Sequence, residues 1–392
     1  MKLFTTYIVI LLQAILFPAI INASEQSLTI IYTGAMEGEL EPCGCSPGTD
    51  FGGVARFAGY IKENKETLSP YVLIDAGNFS AKDTPQGRLK TETMLKSFKV
   101  MNYDVVALMG REESLPEQFL LPLIERYKIP AISDSSSYGS ALHLKRGDFE
   151  LNITVDPGDY QEGMLNILLT DRPLSEVRLL EGWDIVILSS GEILEEPVRT
   201  GGGIILSGYP KGKRLGVLTV KRDIREKRVV YQHTWQRLGR DVKDDPDVRK
   251  IIEEYNTSVG RLSSSSITTL TEGPYVGISR CAECHQPYMD SWVKTGHARA
   301  LSSLSQKGKQ RDPECLSCHT VGFGKEGGFV NIEATPDLAN VQCEACHGPG
   351  RAHLQDYSRP MSPITKDTCM KCHTPQNSPD FNYRKYLERI KH

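Results

Sequence analysis

The feature that most constrains this chain is a five-residue pattern that occurs four times near its C-terminus. Cys-x-x-Cys-His is found at Cys281–His285, Cys315–His319, Cys343–His347 and Cys369–His373. Two thiols at this spacing can add across the two vinyl groups of one porphyrin, and the histidine that follows then lies under the iron as its proximal ligand. The pattern therefore predicts four covalently attached c-type haems.

On this interpretation eight cysteines attach haem, and four histidines are proximal iron ligands. A thiol redox pair or a zinc site can use the same cysteine spacing, and an array of zinc sites is the alternative. A histidine directly after the second cysteine in all four copies favours haem. The attachment residues are Cys281, Cys284, Cys315, Cys318, Cys343, Cys346, Cys369 and Cys372, and the proximal ligands are His285, His319, His347 and His373.

Residues 1–23 have the pattern of a secretory signal peptide. A basic start at Lys2 precedes an apolar run over residues 7–21, and Ala23 is a plausible last residue before the cut. An uncleaved N-terminal anchor is the alternative, because the residue three before the cut is large. No other apolar run is long enough to span a bilayer. We expect an exported, periplasmic protein with no membrane span after cleavage.

Length and charge place few other limits on the chain. Its 392 residues are enough for about two domains, and a formal net charge of -3 gives no reason to expect a nucleic-acid partner.

Between residues 25 and 260, strand-like and helix-like segments alternate. This order predicts an α/β fold with helices flanking sheets. Strands are predicted at 28–32, 71–75, 104–109, 165–169, 184–188, 203–207 and 215–220, with an added edge strand at 226–236. Helices are predicted at 54–65, 90–101 and 115–127, with a closing helix at 245–262.

Short motifs between these segments resemble the metallophosphatase domain of the 5'-nucleotidase/UDP-sugar hydrolase family. That family has T-N-D-x-H-G, G-G-x-A-R, D-A-G-D, G-N-H-E, H-x-G and G-H-x-H in this order. The corresponding stretches here are Thr33–Gly38, Gly52–Arg56, Asp75–Asn78, Gly110–Glu113, Ser189–Gly191 and Gly208–Lys211. The resemblance implies a layered sheet domain of that fold over residues 25–260.

The same alignment places unsuitable residues at the family's metal-ligand positions. A dinuclear metal site needs carboxylates and imidazoles around two ions. The eight positions hold Ala35, Glu37, Asn78, Arg111, Glu112, Ser189, Tyr209 and Lys211. Alanine and serine cannot replace the ligands, and the two cations would repel divalent metals. Phosphatase or nucleotidase activity is therefore not expected.

The two remaining cysteines, Cys43 and Cys45, form a Cys-Gly-Cys pair in the loop after the first strand. Vicinal thiols in an exported protein can form a strained, easily reduced disulfide. The functional interpretation is a redox-active or thiol-binding site that exchanges electrons with the haems, or a soft-metal site. An inert surface disulfide or a remnant of the loop is the alternative.

Residues 261–277 are rich in Ser, Thr and Gly and are predicted to be a linker. Residues 278–392 follow as a haem-packed, mostly helical and irregular tetrahaem domain. This domain resembles the cytochrome c-554-like multihaem family, on Cys281–His285, Trp292–Ala298, and Val341–Gly350 with His353 after it. The resemblance implies that His297 and His353 are distal iron ligands.

We therefore expect an exported tetrahaem electron carrier fused to a metallophosphatase-like domain. Its partners would be redox proteins, either other cytochromes or a quinol-linked donor. Two alternatives stay open. Two convincing distal histidines for four irons would leave one or two haems five-coordinate, so the chain can be an oxidoreductase that reduces a small nitrogen or sulfur compound there or at the thiol pair. It can also be a module that binds a ligand in the former phosphatase cleft, for sensing or docking.

Overall fold

In a computed structural model the chain is described over residues 25–42, 49–135, 137–223, 228–265 and 273–391. The predicted signal peptide, the Cys43–Cys45 pair and His392 lie outside these ranges.

The first sheet of the N-terminal part is mixed and has the strand order β12-β11-β1-β2-β3-β4. Strands β1 to β4 pair in parallel, whereas β11 and β12 add antiparallel beside β1. The apolar run of β1 is buried on both faces, which is the usual reason for a strand without alternation. The strands are β1 Glu25–Thr33, β2 Tyr71–Asp75, β3 Val105–Ala107, β4 Ala131–Ile132, β11 Arg214–Asp223 and β12 Arg228–Arg237.

The second sheet has the order β5-β6-β7-β8-β10-β9 and packs face to face on the first. Apolar side chains from both sheets form one buried cluster between them. Two polar residues in this sheet, Asn152 and Asn166, are fully buried and hydrogen-bond to each other. The strands are β5 Ala141–Arg146, β6 Phe149–Thr154, β7 Leu165–Thr170, β8 Ile185–Leu188, β9 Val198–Arg199 and β10 Ile204–Ser207.

Helices cover the outer faces of both sheets. A second buried cluster lies between the first sheet and its helices, and a smaller one contains Val177 and Trp183 on the outer face of the second. The helices are α1 Val54–Glu63, α2 Lys65–Leu68, α3 Pro85–Met101, α4 Gly110–Glu113, α5 Glu117–Tyr127, α6 Leu174–Val177 and α7 Pro246–Ser265. The predicted α/β class with flanking helices is confirmed. Helix α7 continues to Ser265, into the segment predicted as a linker.

The C-terminal part is helical and irregular, as expected. Its helices are α8 Ile278–Trp292, α9 Ala300–Ser305, α10 Pro313–His319, α11 Cys343–His347, α12 Arg351–Gln355, α13 Lys366–Met370 and α14 Tyr383–Leu387. A small apolar cluster around Leu316, Val321 and Phe329 is buried, whereas α8 contains no buried residue. None of the helices in the described part of the chain has the length and apolar character needed to cross a membrane.

One carboxyl group lies at the centre of the N-terminal fold. Asp75, at the end of β2, is fully buried, and it accepts hydrogen bonds from Thr33 Oγ1 (2.6 Å) and from the Gly77 amide (2.9 Å). Burial raises its pKa to about 7, against the lowering effect of these hydrogen bonds. The folded protein therefore keeps a proton here that the unfolded chain releases near its ordinary pKa of about 3.9.

This raised pKa predicts a loss of stability as pH rises from about 4 to 7. Between these values the native state binds one more proton than the unfolded state, so the free energy of unfolding should fall by roughly 4 kcal/mol. Asp75→Asn keeps a neutral side chain and should remove this loss. Urea unfolding, followed by the fluorescence of Trp183 and Trp235, measures the free energy of unfolding at each pH. Asp148→Asn, a change at an exposed residue, is the control and should depend on pH as wild type does. If the free energies of unfolding of wild type and Asp75→Asn changed in parallel with pH, the prediction would be contradicted.

Candidate haem-binding site

Short helices carry the four Cys-x-x-Cys-His motifs. The first three lie within α8, α10 and α11, and the fourth begins in α13. In a helix, residues i, i+3 and i+4 share one face, so the two thiols and the imidazole of the second and third motifs point to the same side. Helix α8 is kinked at His285, the last residue of the first motif. The fourth motif keeps the helical geometry past the end of α13, because the His373 amide donates to the Cys369 carbonyl (2.9 Å). All eight motif cysteines are free thiols.

Two of the motif histidines face a second imidazole. The ring centroids of His285 and His353 are 6.4 Å apart, and those of His297 and His373 are 6.1 Å apart. With metal–nitrogen bonds of about 2 Å on each side, two imidazoles that share one metal have centroids roughly 6 Å apart. The structure thus brings together the two histidines predicted as distal ligands with the first and fourth motifs, a pairing that the sequence did not indicate.

Backbone carbonyls hold the Nδ1 atoms of three of these histidines. The Nδ1 atoms of His319, His347 and His353 lie 2.7, 3.3 and 2.7 Å from the carbonyl oxygens of Ala300, Ser362 and Arg359. Because a carbonyl only accepts, Nδ1 must carry the proton. The lone pair is then on Nε2, which is the tautomer that a metal-ligating histidine needs.

A cavity of ≈ 240 Å³ adjoins the first motif. Its walls include both thiols of the motif and both rings of the His285–His353 pair, together with apolar side chains from α8 and α12. This combination of apolar walls, two thiols and two imidazoles fits a covalently attached haem. Met289 and Met361 also line the cavity.

Thiol contacts order the four motifs in space. Cys281 of the first motif hydrogen-bonds to Cys343 of the third, and this contact lowers the pKa of the Cys343 thiol. Cys318 of the second motif likewise contacts Cys372 of the fourth, which lowers the pKa of the Cys318 thiol. The third and fourth motifs adjoin through Cys346 and Cys369. The attachment sites therefore form a continuous series in the order first, third, fourth, second.

A buried carboxylate inside the third motif holds this arrangement together. Glu344 is 2 % exposed and accepts hydrogen bonds from three backbone amides, those of Val276, Gly277 and Gly350. Backbone amides are suitable partners for a buried anion, since they compensate its lost hydration without a second charged side chain. Sequence analysis did not single out Glu344, although an acidic residue between two attachment cysteines was visible.

The residues at the family's metal-ligand positions lie close together in the N-terminal part. Asn78 Nδ2 donates to the Ser189 carbonyl (2.9 Å), and the Arg111 amide donates to Asn78 Oδ1 (2.9 Å). The Arg111 guanidinium lies 3.3 Å from Glu37. The Lys211 amide donates to the Ala35 carbonyl (2.9 Å). We call this group the strand-end cleft.

The polar groups of the strand-end cleft form hydrogen bonds with one another. Glu112 is fully buried and accepts from the amides of Asn78, Ser80 and Met109, while burial raises its pKa. Within the described ranges, no group of three or more His, Cys, Asp or Glu is placed to hold a metal ion. Four non-glycine residues here keep a positive φ, namely Ala35, Glu37, Asn78 and Lys211, a costly conformation that tends to mark functional sites.

The C-terminal part matches a cytochrome family. Residues 280–348 match the family model described as cytochrome c554 and c-prime. Cytochrome c-554 of Nitrosomonas europaea is 35% identical over 120 residues, an alignment that covers 25% of this chain and 51% of that protein. The chain thus spans about half the length of this curated relative.

The N-terminal part matches nucleotidase structures. The 5'-nucleotidase precursor of Thermus thermophilus has a TM-score of 0.54 at 14% identity, covering 72% of this chain and 68% of that one. The NAD nucleotidase of Haemophilus influenzae has a TM-score of 0.51 at 13% identity, covering 62% and 61%. Such low identity shows the fold alone. The two resemblances stated from sequence are confirmed: a cytochrome c-554-like C-terminal part is joined to a domain of metallophosphatase fold.

The His285–His353 pair predicts the effect of one substitution. In the haem-loaded protein, His353→Ala should convert one low-spin iron to high spin, because a bis-imidazole iron loses one strong axial ligand. Electron paramagnetic resonance measures the spin state, and the haem content should stay the same. His143→Ala, at an exposed histidine of the N-terminal part, is the control. An unchanged spectrum for His353→Ala would show that His353 is not an axial ligand.

Proposed function

We propose that the chain is an exported tetrahaem c-type cytochrome that carries electrons. The observation that carries this proposal is the placement of two motif histidines at an axial-ligand separation from a second imidazole, 6.4 and 6.1 Å between ring centroids. Four free thiol pairs in a continuous series support the same function. Closely spaced attachment sites suit electron transfer along the chain of haems.

In this proposal each residue of the motifs has a defined task. The cysteine pairs attach four haems by thioether bonds, and His285, His319, His347 and His373 bind the irons from the proximal side. His353 and His297 are the distal ligands of the first and fourth haems. Haem c supplies an iron that gains and loses one electron.

The compartment and the partners follow from the same proposal. Residues 1–23 would direct export to the periplasm, a compartment in which disulfides form and persist. The partners are other redox proteins, either cytochromes or a quinol-linked donor. The linker over 261–277 would join domains that span 25–260 and 278–392, with helix α7 occupying the first part of this segment.

We propose that the N-terminal domain has no phosphatase activity and serves as a docking platform. The ion pair between Arg111 and Glu37 occupies ligand positions, and the cleft also contains Lys211, so a divalent cation would meet positive charge there. Cys43 and Cys45 are proposed as redox thiols, on the basis of sequence alone.

One observation favours a second function, the reduction of a small nitrogen or sulfur compound at an open iron. In the part of the chain that the structure describes, His319 of the second motif is not paired with another imidazole ring. Its Nδ1 is engaged by the Ala300 carbonyl, so Nε2 is its iron-binding atom. A haem held by His319 alone would keep one axial position open for a ligand.

Two measurements on the purified full chain test the proposals. Mass spectrometry should give four attached haems per chain, and fewer would overturn the tetrahaem proposal. Carbon monoxide should then bind the ferrous haem on the second motif, and Cys315→Ser with Cys318→Ser should remove that haem and its carbon monoxide band. Binding to no haem would leave a pure electron carrier, and the reductase proposal would be abandoned.

A further inference from the structure

The second haem-attachment motif lies against the N-terminal domain. Immediately before Cys315, the segment Lys309–Glu314 makes three polar contacts with that domain. Lys309 Nζ lies 3.2 Å from Glu41, and Gln86 Nε2 donates to Asp312 Oδ1 (2.8 Å). Lys90 Nζ lies 2.6 Å from Glu314. Gln86 and Lys90 lie on α3, and Glu41 follows β1.

Several of these charges are shielded from water. The Lys90 side chain is 11% exposed, that of Lys309 16% and that of Glu41 15%, whereas Glu314 is 59% exposed. Asp312 is buried and caps α10 by accepting from the Glu314 amide (3.0 Å). Charges with so little water around them are screened much less than surface charges.

The shielded charges act on the attachment site itself. Burial raises the pKa of the Cys315 thiol to about 12, Asp312 and Glu314 add to the rise, and Lys309 and Lys90 oppose it. The field at Cys315 therefore combines charges from both domains. Lys90 comes from the N-terminal domain, and Glu41 partly neutralises Lys309.

We propose that the N-terminal domain sets the reduction potential of the haem on the second motif, through the positive charge of Lys90 and the negative charge of Glu41. Taking up one electron lowers the charge of a haem iron by one. A nearby cation therefore favours the reduced form, and a nearby anion favours the oxidised form. This proposal rests on the proposed function, since it requires a haem at Cys315 and Cys318.

Opposite charge changes on the N-terminal domain test the proposal. Four one-electron components are fitted to a spectroelectrochemical titration of the full haem-loaded chain. Lys90→Gln should lower the midpoint potential of one component, and Glu41→Gln should raise that same component. Each change should alter its oxidised-to-reduced ratio about threefold, which corresponds to ~28 mV because tenfold is 59 mV for one electron. The double variant should return close to wild type.

Matched variants separate charge from structural damage. Lys90→Arg keeps the charge, Lys99→Gln removes an exposed lysine of the same helix, and Glu66→Gln removes an exposed acid of the same domain. All three should leave the four potentials unchanged. Lys90→Gln leaves only the solvated Glu314 without its partner, whereas Glu41→Gln removes the ion-pair partner of the shielded Lys309 and leaves Arg249 paired with Asp244.

The outcomes distinguish this proposal from the proposed function. Shifts no larger than those of the controls, or shifts of two different components by Lys90→Gln and Glu41→Gln, would overturn the proposal while the cytochrome function stands. A wild-type chain with fewer than four reducible haems would instead refute the proposed function. If one test variant does not fold, the other variant and Lys90→Arg still decide the sign of the shift.

Discussion

The spacing of two thiols and one imidazole in each Cys-x-x-Cys-His motif is the constraint on which the C-terminal part depends. Two thiols and a ring must face one side of the chain within five residues, and one turn of helix provides this. Each motif accordingly lies on or at the end of a short helix.

The N-terminal domain has a metallophosphatase fold, and polar groups gather at the ends of its strands. The ends of β1, β2, β3, β8 and β10 meet at one place, as strand ends do in layered α/β folds. The groups that meet there satisfy one another, with Arg111 against Glu37 and Asn78 against Ser189. The strand ends of this fold thus carry polar groups that satisfy one another's hydrogen bonds and charges.

Sequence reasoning predicted the local features and missed the relations between distant segments. A buried strand such as β8 was recognised because it is a continuous apolar run. Strands β5 and β6 were not predicted, because β5 is half exposed and Asn152 interrupts the apolar residues of β6. The Asn152 amide donates to Asn166 on the neighbouring strand and to the Asp159 carbonyl. A short strand that contains a polar residue looks like a loop in the sequence, unless the hydrogen-bond partner of that residue is known.

In the candidate site, too, the sequence did not show which distant residues meet. His297 and His353 were identified individually through a family resemblance, but their pairing with particular motifs depends on three-dimensional packing. The contact between Lys309 and Glu41 joins residues 268 positions apart, and neither residue belongs to a recognisable motif. Ion pairs of this kind leave no periodic signal in a sequence.

The position of Glu344 has a consequence for the order of assembly. This carboxylate fixes Val276 and Gly277, the residues that lead into the first motif, although it lies 68 and 67 positions later in the chain. A chain that emerges from its N-terminal end exposes Cys281 and Cys284 before Glu344 is present to hold the residues beside them. The first motif would therefore reach its native position only when the third motif arrives.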